Sequence, residues 1–464
     1  MIEKNQSLTL DCVRLGAELE GVCHHEGQTV FVDGALPGER LEAKALKVTP
    51  RYAFAKLLSL ESRSPQRREP FCPVYGQCGG CSGQHMSYEA TLEAKRQNIL
   101  DALTRIGGLE LEAEQVPPVL GAQNPLHGRN KTSLPVGGTA QDPVLGFYRK
   151  RSHRIVSIED CPVTMEGVAP VIQAVKAWMR RGGVTPYDEE SHQGLLRHVV
   201  IRRTRRGEMM VLLVSTRPKL PELPFLIDRL TAQAPGFCAL HLSVNATLGN
   251  VILGDSCQKL YGQDFLVEEL LGLDFEISPL SFFQVNPAQT ERLYQQALDF
   301  AALAPGDVVV DAYAGAGTIA LCMARQAKRV IGIEVVPQAV ESAWRNARRN
   351  GLDNVDFYAA AVEDKLPALV EEGLRPDVVV LDPPRKGVES AVIQAVLKAA
   401  PRRVVYVSCH VPTQARDLAL LAQGGYRFEA CQGVDMFCYA SGVENVCVMA
   451  RGEEAFKGAA PDPA

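Results

Sequence analysis

The segment 308–319 limits the possible folds of this chain more than any other stretch does. It opens with three valines in a row, and a β-branched run of this kind is typical of a buried parallel strand. Asp311 follows, then Gly315 and Gly317, and a helix is predicted to start at Thr318. Ligands of open α/β sheets bind where strands end, and glycines let the backbone approach them closely. The segment therefore predicts a doubly wound α/β sheet with a ligand site at this turn.

Two acidic residues indicate which ligand this turn favours. Glu334 ends the next strand, where a carboxylate can accept hydrogen bonds from ribose hydroxyls, as in NAD enzymes. The Gly-x-Gly-x-x-Ala spacing alone is weak and also fits a turn without a ligand. Asp311, however, lies just before the glycines and would repel a phosphate, whereas it suits a cationic or hydroxyl-bearing ligand. The pattern therefore favours S-adenosylmethionine over a dinucleotide.

Length and composition are those of a soluble globular chain of two or three domains. The chain has 464 residues, of which 46% are hydrophobic and 22% are charged. No apolar run reaches the length of a membrane span, and the first residues lack the basic and apolar regions of a signal peptide. We therefore expect a cytoplasmic protein without membrane contact. Its thirteen cysteines are expected to be thiols or metal ligands and not a disulfide framework.

The first 62 residues are predicted to form a small β-barrel. Short strands alternate with the turns Glu-Gly, Asp-Gly and Pro-Gly at positions 26, 33 and 37. The stretches Gly21-Val-Cys, Val30-Phe-Val and Pro37-Gly-Glu-Arg-Leu-Glu-Ala resemble a TRAM domain, a barrel of OB-like topology, and this resemblance implies RNA contact. The residues that could contact a single strand are Arg51, Tyr52, Phe54 and Lys56. Alternatively, Tyr52 and Phe54 fill the barrel.

Three cysteines, Cys72, Cys78 and Cys81, occur within ten residues, and the glycines among them let the chain wrap closely around a bound group. Four thiolates are the usual ligand set of an iron–sulfur cluster or a structural zinc ion, and Cys161 is the candidate for the fourth. The short spacing typical of paired zinc ligands occurs only once. The pattern therefore favours a [4Fe–4S] cluster over zinc, with buried free cysteines as the remaining alternative.

Positive charge is concentrated between residues 121 and 220. This segment has sixteen Lys and Arg against eight Asp and Glu, a net charge of +8, so the rest of the chain sums to −13 and the total is −5. Many of the basic residues lie in three clusters, 129–131, 148–151 and 202–206. Such asymmetry predicts an RNA-facing surface, although any one cluster is more typical of a solvated face or a hairpin. The stretch 195–215, around Gly207, is predicted to be such a hairpin.

Three further polar residues are predicted at strand ends. Asp382 follows a strand at 377–381 and precedes two prolines that fix a rigid turn. Cys409 follows the strand at 403–408, where a cysteine beside the cofactor is a candidate nucleophile. The helix that starts after Cys409 is expected to lower its pKa. Glu444 opens the last predicted strand. A packed cysteine and a surface glutamate are the alternative interpretations.

Taken together, these residues resemble the RNA uracil-5-methyltransferase family over almost the whole chain. The matching motifs are Phe283-Gln284-Val-Asn286, Asp311-Ala-Tyr-Ala-Gly-Ala-Gly-Thr318, Asp382-Pro-Pro-Arg-Lys-Gly387, Ser408-Cys409 and Val443-Glu444-Asn445. The cysteine set and the TRAM-like start narrow the resemblance to the iron–sulfur branch that acts on 23S ribosomal RNA, in preference to the tRNA branch. The residues that the resemblance places around S-adenosylmethionine and the uracil are Gln284, Tyr313, Thr318, Glu334 and Asp382. The tail after Arg451 carries no motif.

The resemblance also implies a covalent mechanism. Uracil C5 is too weakly nucleophilic to take a methyl group directly. A thiolate that adds at C6 makes C5 nucleophilic, and a base must then remove the C5 proton so that the thiolate can leave. We assign Cys409 as the nucleophile and Glu444 as the base, and we expect Asp382 to hold the uracil edge and so discriminate against cytosine. The target base must leave its stack to reach such a pocket.

The predicted organisation has three parts. They are an OB-like TRAM barrel at 1–62, an α+β region with the iron–sulfur site and the basic surface at 63–270, and a Rossmann-like class I methyltransferase domain at 271–464. Two other classes of function stay open. One is a catalytically inert RNA-binding module, which intact Cys409 and Glu444 disfavour, and the other is an iron–sulfur redox protein with an NAD site. The sequence indicates no obligate protein partner.

Overall fold

Five short strands close the barrel predicted at the start of the chain. The computed structural model describes residues 2–249 and 251–452. The tail that carries no motif therefore lies outside the described residues from position 453 onward. The strands are β1 (Ser7–Leu15), β2 (Gly21–His25), β3 (Gln28–Asp33), β4 (Arg40–Val48) and β5 (Tyr52–Leu60). They pair in the order β1-β2-β3-β5-β4 around small apolar side chains such as Val30, Val32 and Ala53. The prediction of an N-terminal barrel is therefore confirmed.

The aromatic side chains of β5 cover the outside of this barrel. Burial alternates along β5, and Ala53 and Ala55 face the core, so Tyr52 and Phe54 point away from it. Their ring centroids lie 5.5 Å apart, and the Arg151 guanidinium lies 5.1 Å from the Phe54 ring. The interpretation that Tyr52 and Phe54 fill the barrel is wrong, because alternation along the strand gives the interior to their small neighbours.

A seven-stranded sheet forms the middle of the molecule. The elements of this region are α1 (Tyr88–Arg105), β6 (Lys131–Gly138), β7 (Pro143–Tyr148), β8 (Ile155–Ser157), α2 (Val168–Gly182), β9 (Leu196–Arg203), β10 (Met209–Ser215), α3 (Leu223–Gln233), β11 (Phe237–Val244) and β12 (Cys257–Gly262). The strand order is β12-β11-β10-β9-β6-β7-β8, and α2 and α3 pack on this sheet. Strands β9 and β10 are antiparallel, and Gly207 in their turn has φ +89°, which confirms the predicted hairpin.

The C-terminal region is the doubly wound sheet that the sequence predicts. Its elements are β13 (Leu266–Leu270), β14 (Leu273–Ile277), α4 (Pro287–Ala301), β15 (Val308–Ala312), α5 (Thr318–Ala324), β16 (Arg329–Glu334), α6 (Pro337–Arg349), β17 (Val355–Ala359), α7 (Val362–Glu371), β18 (Val378–Leu381), α8 (Ser390–Ala399), β19 (Arg403–Ser408), α9 (Val411–Gln423), β20 (Tyr426–Val434) and β21 (Glu444–Arg451). The sheet order is β17-β16-β15-β18-β19-β21-β20, with β21 antiparallel to both neighbours. The order reverses between β15 and β18, which is where such sheets bind ligands.

Helix α1 packs on the C-terminal sheet, although its sequence position lies in the middle region. Ile99 and Leu103 are fully buried, in one core with Val379 and Leu418 of that sheet and its helices. Helix α1 therefore belongs to the core of the C-terminal region. Neither α1, the longest helix, nor any other helix in the described ranges is long and apolar enough to cross a membrane.

Three arginines of the basic cluster at 202–206 contact the C-terminal region. Arg205 donates to the carboxylates of Glu268 on β13 and Glu291 on α4. Arg206 pairs with two acids of the β13–β14 hairpin, and the buried Arg202 donates to a backbone carbonyl between β14 and α4. Acids distant in sequence thus neutralise part of the charge of this cluster, and contact between the cluster and RNA stays a prediction.

Removing Arg205 should destabilise the protein more than removing Arg206 does. Arg205→Met leaves Glu268, whose side chain is 1% exposed, with backbone N–H partners only, and loss of the charged partner of a buried group costs about 1–3 kcal/mol of unfolding free energy. Arg206→Met removes only exposed pairs, which contribute little. Urea unfolding midpoints measure the difference. If Arg205→Met keeps its stability but flattens the salt dependence of RNA binding, the cluster contacts RNA after all.

Candidate active site

The pairing of β19 with β21 brings the predicted nucleophile and base together. In this antiparallel pair Ser408 lies opposite Asn445. Cys409 directly follows Ser408, and Glu444 directly precedes Asn445, so the two residues are neighbours at the same end of the sheet. Asp382 follows β18, the parallel neighbour of β19, and its charge acts on both groups. The sheet therefore gathers the three residues at one edge.

Burial and like charges raise the pKa values of both groups. Glu444 is 3% exposed, and its burial and the nearby Asp382 raise its pKa to about 8. Burial and the charges of Glu444 and Asp382 raise the pKa of Cys409 to about 11, and Arg385 offsets only part of this. The prediction that the pKa of Cys409 is lowered is therefore wrong for the protein alone, because burial, together with the charges of Glu444 and Asp382, disfavours the thiolate.

Asp311 adds a further buried carboxyl group at the end of β15. Neither carboxylate oxygen accepts a well-formed hydrogen bond from a described residue, and the nearest donor, the Ala320 N–H, offsets only part of the burial penalty. Burial, Asp382 and Glu334 together raise the pKa of Asp311 well above its ordinary value. Burial alone raises that of Asp382 to about 7. Acids crowded in this way are stabilised by a cation among them, which agrees with the preference for S-adenosylmethionine.

The turn after β15 has backbone conformations that favour glycine at two positions. Gly315 and Gly317 have φ +56° and +80°, and a side chain on Gly317 would lie 3.0 Å from its neighbours. Tyr313 also has a positive φ, +71°, which is a strained conformation outside glycine. The Glu334 carboxylate accepts the N–H groups of Gly315 and Val336 at 3.0 and 2.8 Å. These bonds fix Glu334 at the end of β16, beside the turn.

Tyr294 is a residue of this site that the sequence analysis missed. Its hydroxyl lies 2.8 Å from Thr318 Oγ1, and burial and the charge of Asp382 raise its pKa. The signal that could have identified it is helical spacing on α4, since Thr290, Tyr294 and Leu298 recur every four residues and are all buried. Tyr294 thus connects α4 to the start of α5 next to the acids.

Gln284 and Asn286 lie just before α4. Asn286 Oδ1 accepts the Gln289 N–H at 3.3 Å, so Asn286 caps the helix. Gln284 is buried, and its backbone oxygen accepts a bond from Asn130. In the described ranges its side chain makes no hydrogen bond with the other predicted cofactor residues, so a role for Gln284 stays a prediction.

The four cysteines of the predicted metal site line one cavity of about 270 Å³. They are Cys72, Cys78, Cys81 and Cys161. No three Cys, His, Asp or Glu side chains in the described part of the chain converge on one metal ion, whereas zinc needs thiolates at about 2.3 Å. Arg129 and Lys131 also line the cavity, and their charge suits an anionic occupant.

Two family models and several known proteins match this chain. Residues 8–58 match the TRAM domain, and residues 250–451 match tRNA (uracil-5-)-methyltransferase. An RNA methyltransferase of Clostridium tetani is 43% identical over 449 residues, 97% of each chain, and one of Halalkalibacterium halodurans is 43% identical over 97% of this chain and 98% of its own. The solved Pyrococcus abyssi tRNA (uracil-54, C5)-methyltransferase in complex with S-adenosyl-L-homocysteine is 26% identical with a TM-score of 0.77, and the match covers 96% of this chain and 100% of that chain.

The fold and these matches define an S-adenosylmethionine-dependent RNA methyltransferase with an N-terminal TRAM domain. More particularly, the chain belongs to the RNA uracil-5-methyltransferase family. The family that the motifs predict is therefore confirmed. The two other classes, an inert RNA-binding module and an NAD-dependent redox protein, are excluded.

The buried Glu444 should make stability depend on pH. Its pKa rises from an ordinary 4.5 to about 8 on folding, so its contribution to stability is present below pH 4.5 and is lost as the pH rises through 8. Glu444→Gln removes this dependence. Its melting temperature relative to native protein should therefore increase from about pH 5 to about pH 9, by an amount equivalent to a few kcal/mol. The control Glu341→Gln, on an exposed face of α6, should show no such trend. A constant difference for Glu444→Gln would contradict the shifted pKa.

Proposed function

We propose that the protein methylates C5 of a uridine in 23S ribosomal RNA through a covalent adduct between Cys409 and C6. The observation that carries this proposal is the register of β19 and β21, which makes Cys409 and Glu444 neighbours at the carboxyl edge of the sheet. A nucleophile alone could form the adduct but could not resolve it. A buried carboxyl group beside it, with a pKa of about 8, has the proton affinity that a general base needs.

Each residue has a defined step in this mechanism. Cys409 gives its proton to solvent, its sulfur bonds to C6, and the electron pair of the C5–C6 double bond makes C5 nucleophilic. When bound, S-adenosylmethionine would supply the methyl group that C5 takes and leave as S-adenosylhomocysteine, and its positive charge would offset the carboxylates that help to keep the pKa of Cys409 high. Glu444 then removes the C5 proton, and the double bond re-forms as the bond between Cys409 and C6 breaks.

In this mechanism Glu334 binds the cofactor, and Asp382 selects uracil over cytosine. Glu334, held by two backbone N–H groups, has lone pairs left for ribose hydroxyls, and Tyr313 and Thr318 flank the glycine turn. Ionised Asp382 accepts a hydrogen bond from uracil N3–H, which neutral cytosine lacks. Because the pKa of Asp382 is about 7, binding of that donor favours the ionised form. Gln284 completes the predicted set.

The choice of ribosomal RNA over tRNA rests on the cysteine set. The Pyrococcus abyssi tRNA enzyme matches 96% of this chain, a span that includes the barrel, so the barrel does not separate the two substrates. Mapping 5-methyluridine in RNA from a strain without this protein decides between them. We expect one or more sites to disappear from 23S ribosomal RNA while tRNA is unchanged. Loss from tRNA alone would replace the proposed substrate.

The two catalytic roles should give different mutant phenotypes. Cys409→Ala should abolish methylation, because C5 does not become nucleophilic without addition at C6, but it should still bind RNA and cofactor. Glu444→Gln should permit addition and methyl transfer and slow proton removal by about 10²–10⁴-fold. A methylated covalent protein–RNA adduct should therefore accumulate and appear as a slower band on a denaturing gel.

Native protein with 5-fluorouridine RNA is the positive control for this adduct, since that base has no C5 proton to remove. Cys409→Ala should give no band with either RNA. If it does, another thiol is the nucleophile, and Cys431 and Cys438 are the next candidates. Normal turnover by Glu444→Gln would place the base elsewhere.

We further propose that Cys72, Cys78, Cys81 and Cys161 bind one [4Fe–4S] cluster. The support is that all four thiols line one cavity of about 270 Å³, and that Arg129 and Lys131 in the same lining carry charge that suits an anionic cluster. When bound, the cluster would connect the segment after the barrel to the basic region.

Metal content tests this assignment. Protein purified without oxygen should be brown and contain about four irons per chain. Cys78→Ser should lose iron, whereas Cys238→Ser, which changes a cysteine outside the cavity, should keep it. Stoichiometric zinc with no iron would contradict the proposal.

A further inference from the structure

The connection between β20 and β21, residues 435–443, is here called the base loop. It ends directly at Glu444, the first residue of β21. The side chain of Glu444 therefore depends on how the base loop enters the strand. Two of the elements that hold this loop, α1 and the segment after Cys81, lie outside the C-terminal sheet.

Helix α1 holds the start of the base loop through a buried ion pair. Lys95 Nζ lies 2.5 Å from Asp435 Oδ1, and both side chains are 0% exposed. Lys95 also donates to the Phe437 carbonyl at 3.0 Å, and the Tyr88 hydroxyl donates to the second Asp435 oxygen at 2.6 Å. Buried charges of this kind stabilise a protein little, because both lose their hydration. Their geometric effect is to fix two points of the base loop against α1.

The segment that follows Cys81 holds the middle of the same loop. The N–H groups of Ser82 and Gly83 both donate to the Tyr439 carbonyl, at 2.8 and 2.9 Å. The Tyr439 ring packs at 5.0 Å on Phe71, and its backbone has φ +59°, which a residue with a side chain adopts at a cost. Such a conformation persists only where the surroundings impose it. The base loop is thus held in one shape by contacts from other parts of the chain.

We propose that Lys95 and Tyr88 are positioning residues for Glu444: by clamping Asp435 they hold the base loop so that the Glu444 carboxyl group lies beside Cys409. This inference rests on the proposed role of Glu444 as the base. The inference predicts that only one step of the reaction depends on the clamp. Addition of Cys409 and methyl transfer do not use the carboxyl group, whereas removal of the C5 proton does. Loosening the clamp slows the last step alone.

The test uses two variants: a double variant that replaces both charged residues of the ion pair with neutral ones, and a single variant that removes one hydroxyl group. Lys95→Met/Asp435→Asn leaves no unpaired buried charge, and Tyr88→Phe removes only the hydroxyl. Glu39→Gln is the matched control, since Glu39 is equally buried and pairs with Arg67 at 2.5 Å but lies in the barrel. In single-turnover reactions on RNA, two rates are measured: the rate of methyl transfer to RNA and the rate at which free product is released from the covalent adduct.

We expect both clamp variants to transfer the methyl group at the native rate and to accumulate the methylated adduct, as Glu444→Gln does. Misplacing one catalytic group by about 1 Å slows a reaction on the order of 10²-fold, so release should fall by up to that factor in the double variant and by less in Tyr88→Phe. Glu39→Gln should release product normally. Hydrogen exchange of the amides in 435–443 should be faster in the double variant and unchanged in Glu39→Gln.

Three outcomes separate the possibilities. If methyl transfer and release fall together in both clamp variants, the clamp only supports the fold and the inference is wrong. If release is native in both, the position of Glu444 does not depend on the clamp and the inference is again wrong. If native protein makes no 5-methyluridine and Glu444→Gln forms no adduct, the proposed function fails, and the inference fails with it.

Discussion

The antiparallel pairing of β21 with β19 is the constraint on which the active site depends. Parallel strands alone bring Asp311, Asp382 and Cys409 to one edge, because Asp311 lies near the carboxyl end of β15 and the other two directly follow the ends of β18 and β19. A base on the last strand reaches that edge only if the strand runs the other way and begins there. With Ser408 opposite Asn445, a slip of one residue would turn the side chain of Glu444 to the opposite face of the sheet.

Electrostatic repulsion at this edge costs stability and prepares the site for its ligands. Burial raises the pKa of Asp382 to about 7, and burial with the neighbouring charge raises that of Glu444 to about 8. Burial and the same acids raise the pKa of Cys409 to about 11 when the protein is alone. Under the proposed mechanism, a cationic cofactor relieves the repulsion and increases the thiolate fraction, so we propose that activation of Cys409 is coupled to cofactor binding.

The middle and C-terminal regions of the chain share a core and ion pairs. The α1 segment completes the core of the C-terminal sheet, and Arg205 on the middle hairpin neutralises Glu268 and Glu291. The β13–β14 hairpin lies across the predicted boundary at 270, where the middle region meets the methyltransferase domain. Because of these contacts between regions, acidic and basic side chains that are far apart in the sequence form ion pairs in the folded protein.

The sequence by itself determined the sheet, the glycine turn, and which acids and which cysteine lie at strand ends. These features could be predicted because strand periodicity and the order of parallel strands are local properties that short motifs encode. It also determined the family, through motifs that span the chain. Tertiary structure decided the rest. It paired Arg205 and Arg206 with acids more than sixty positions away, placed Tyr294 beside Thr318, and raised the pKa of Cys409 where the nearby helix alone predicts a lower one. Pairing and pKa depend on distance and burial, which sequence spacing does not contain.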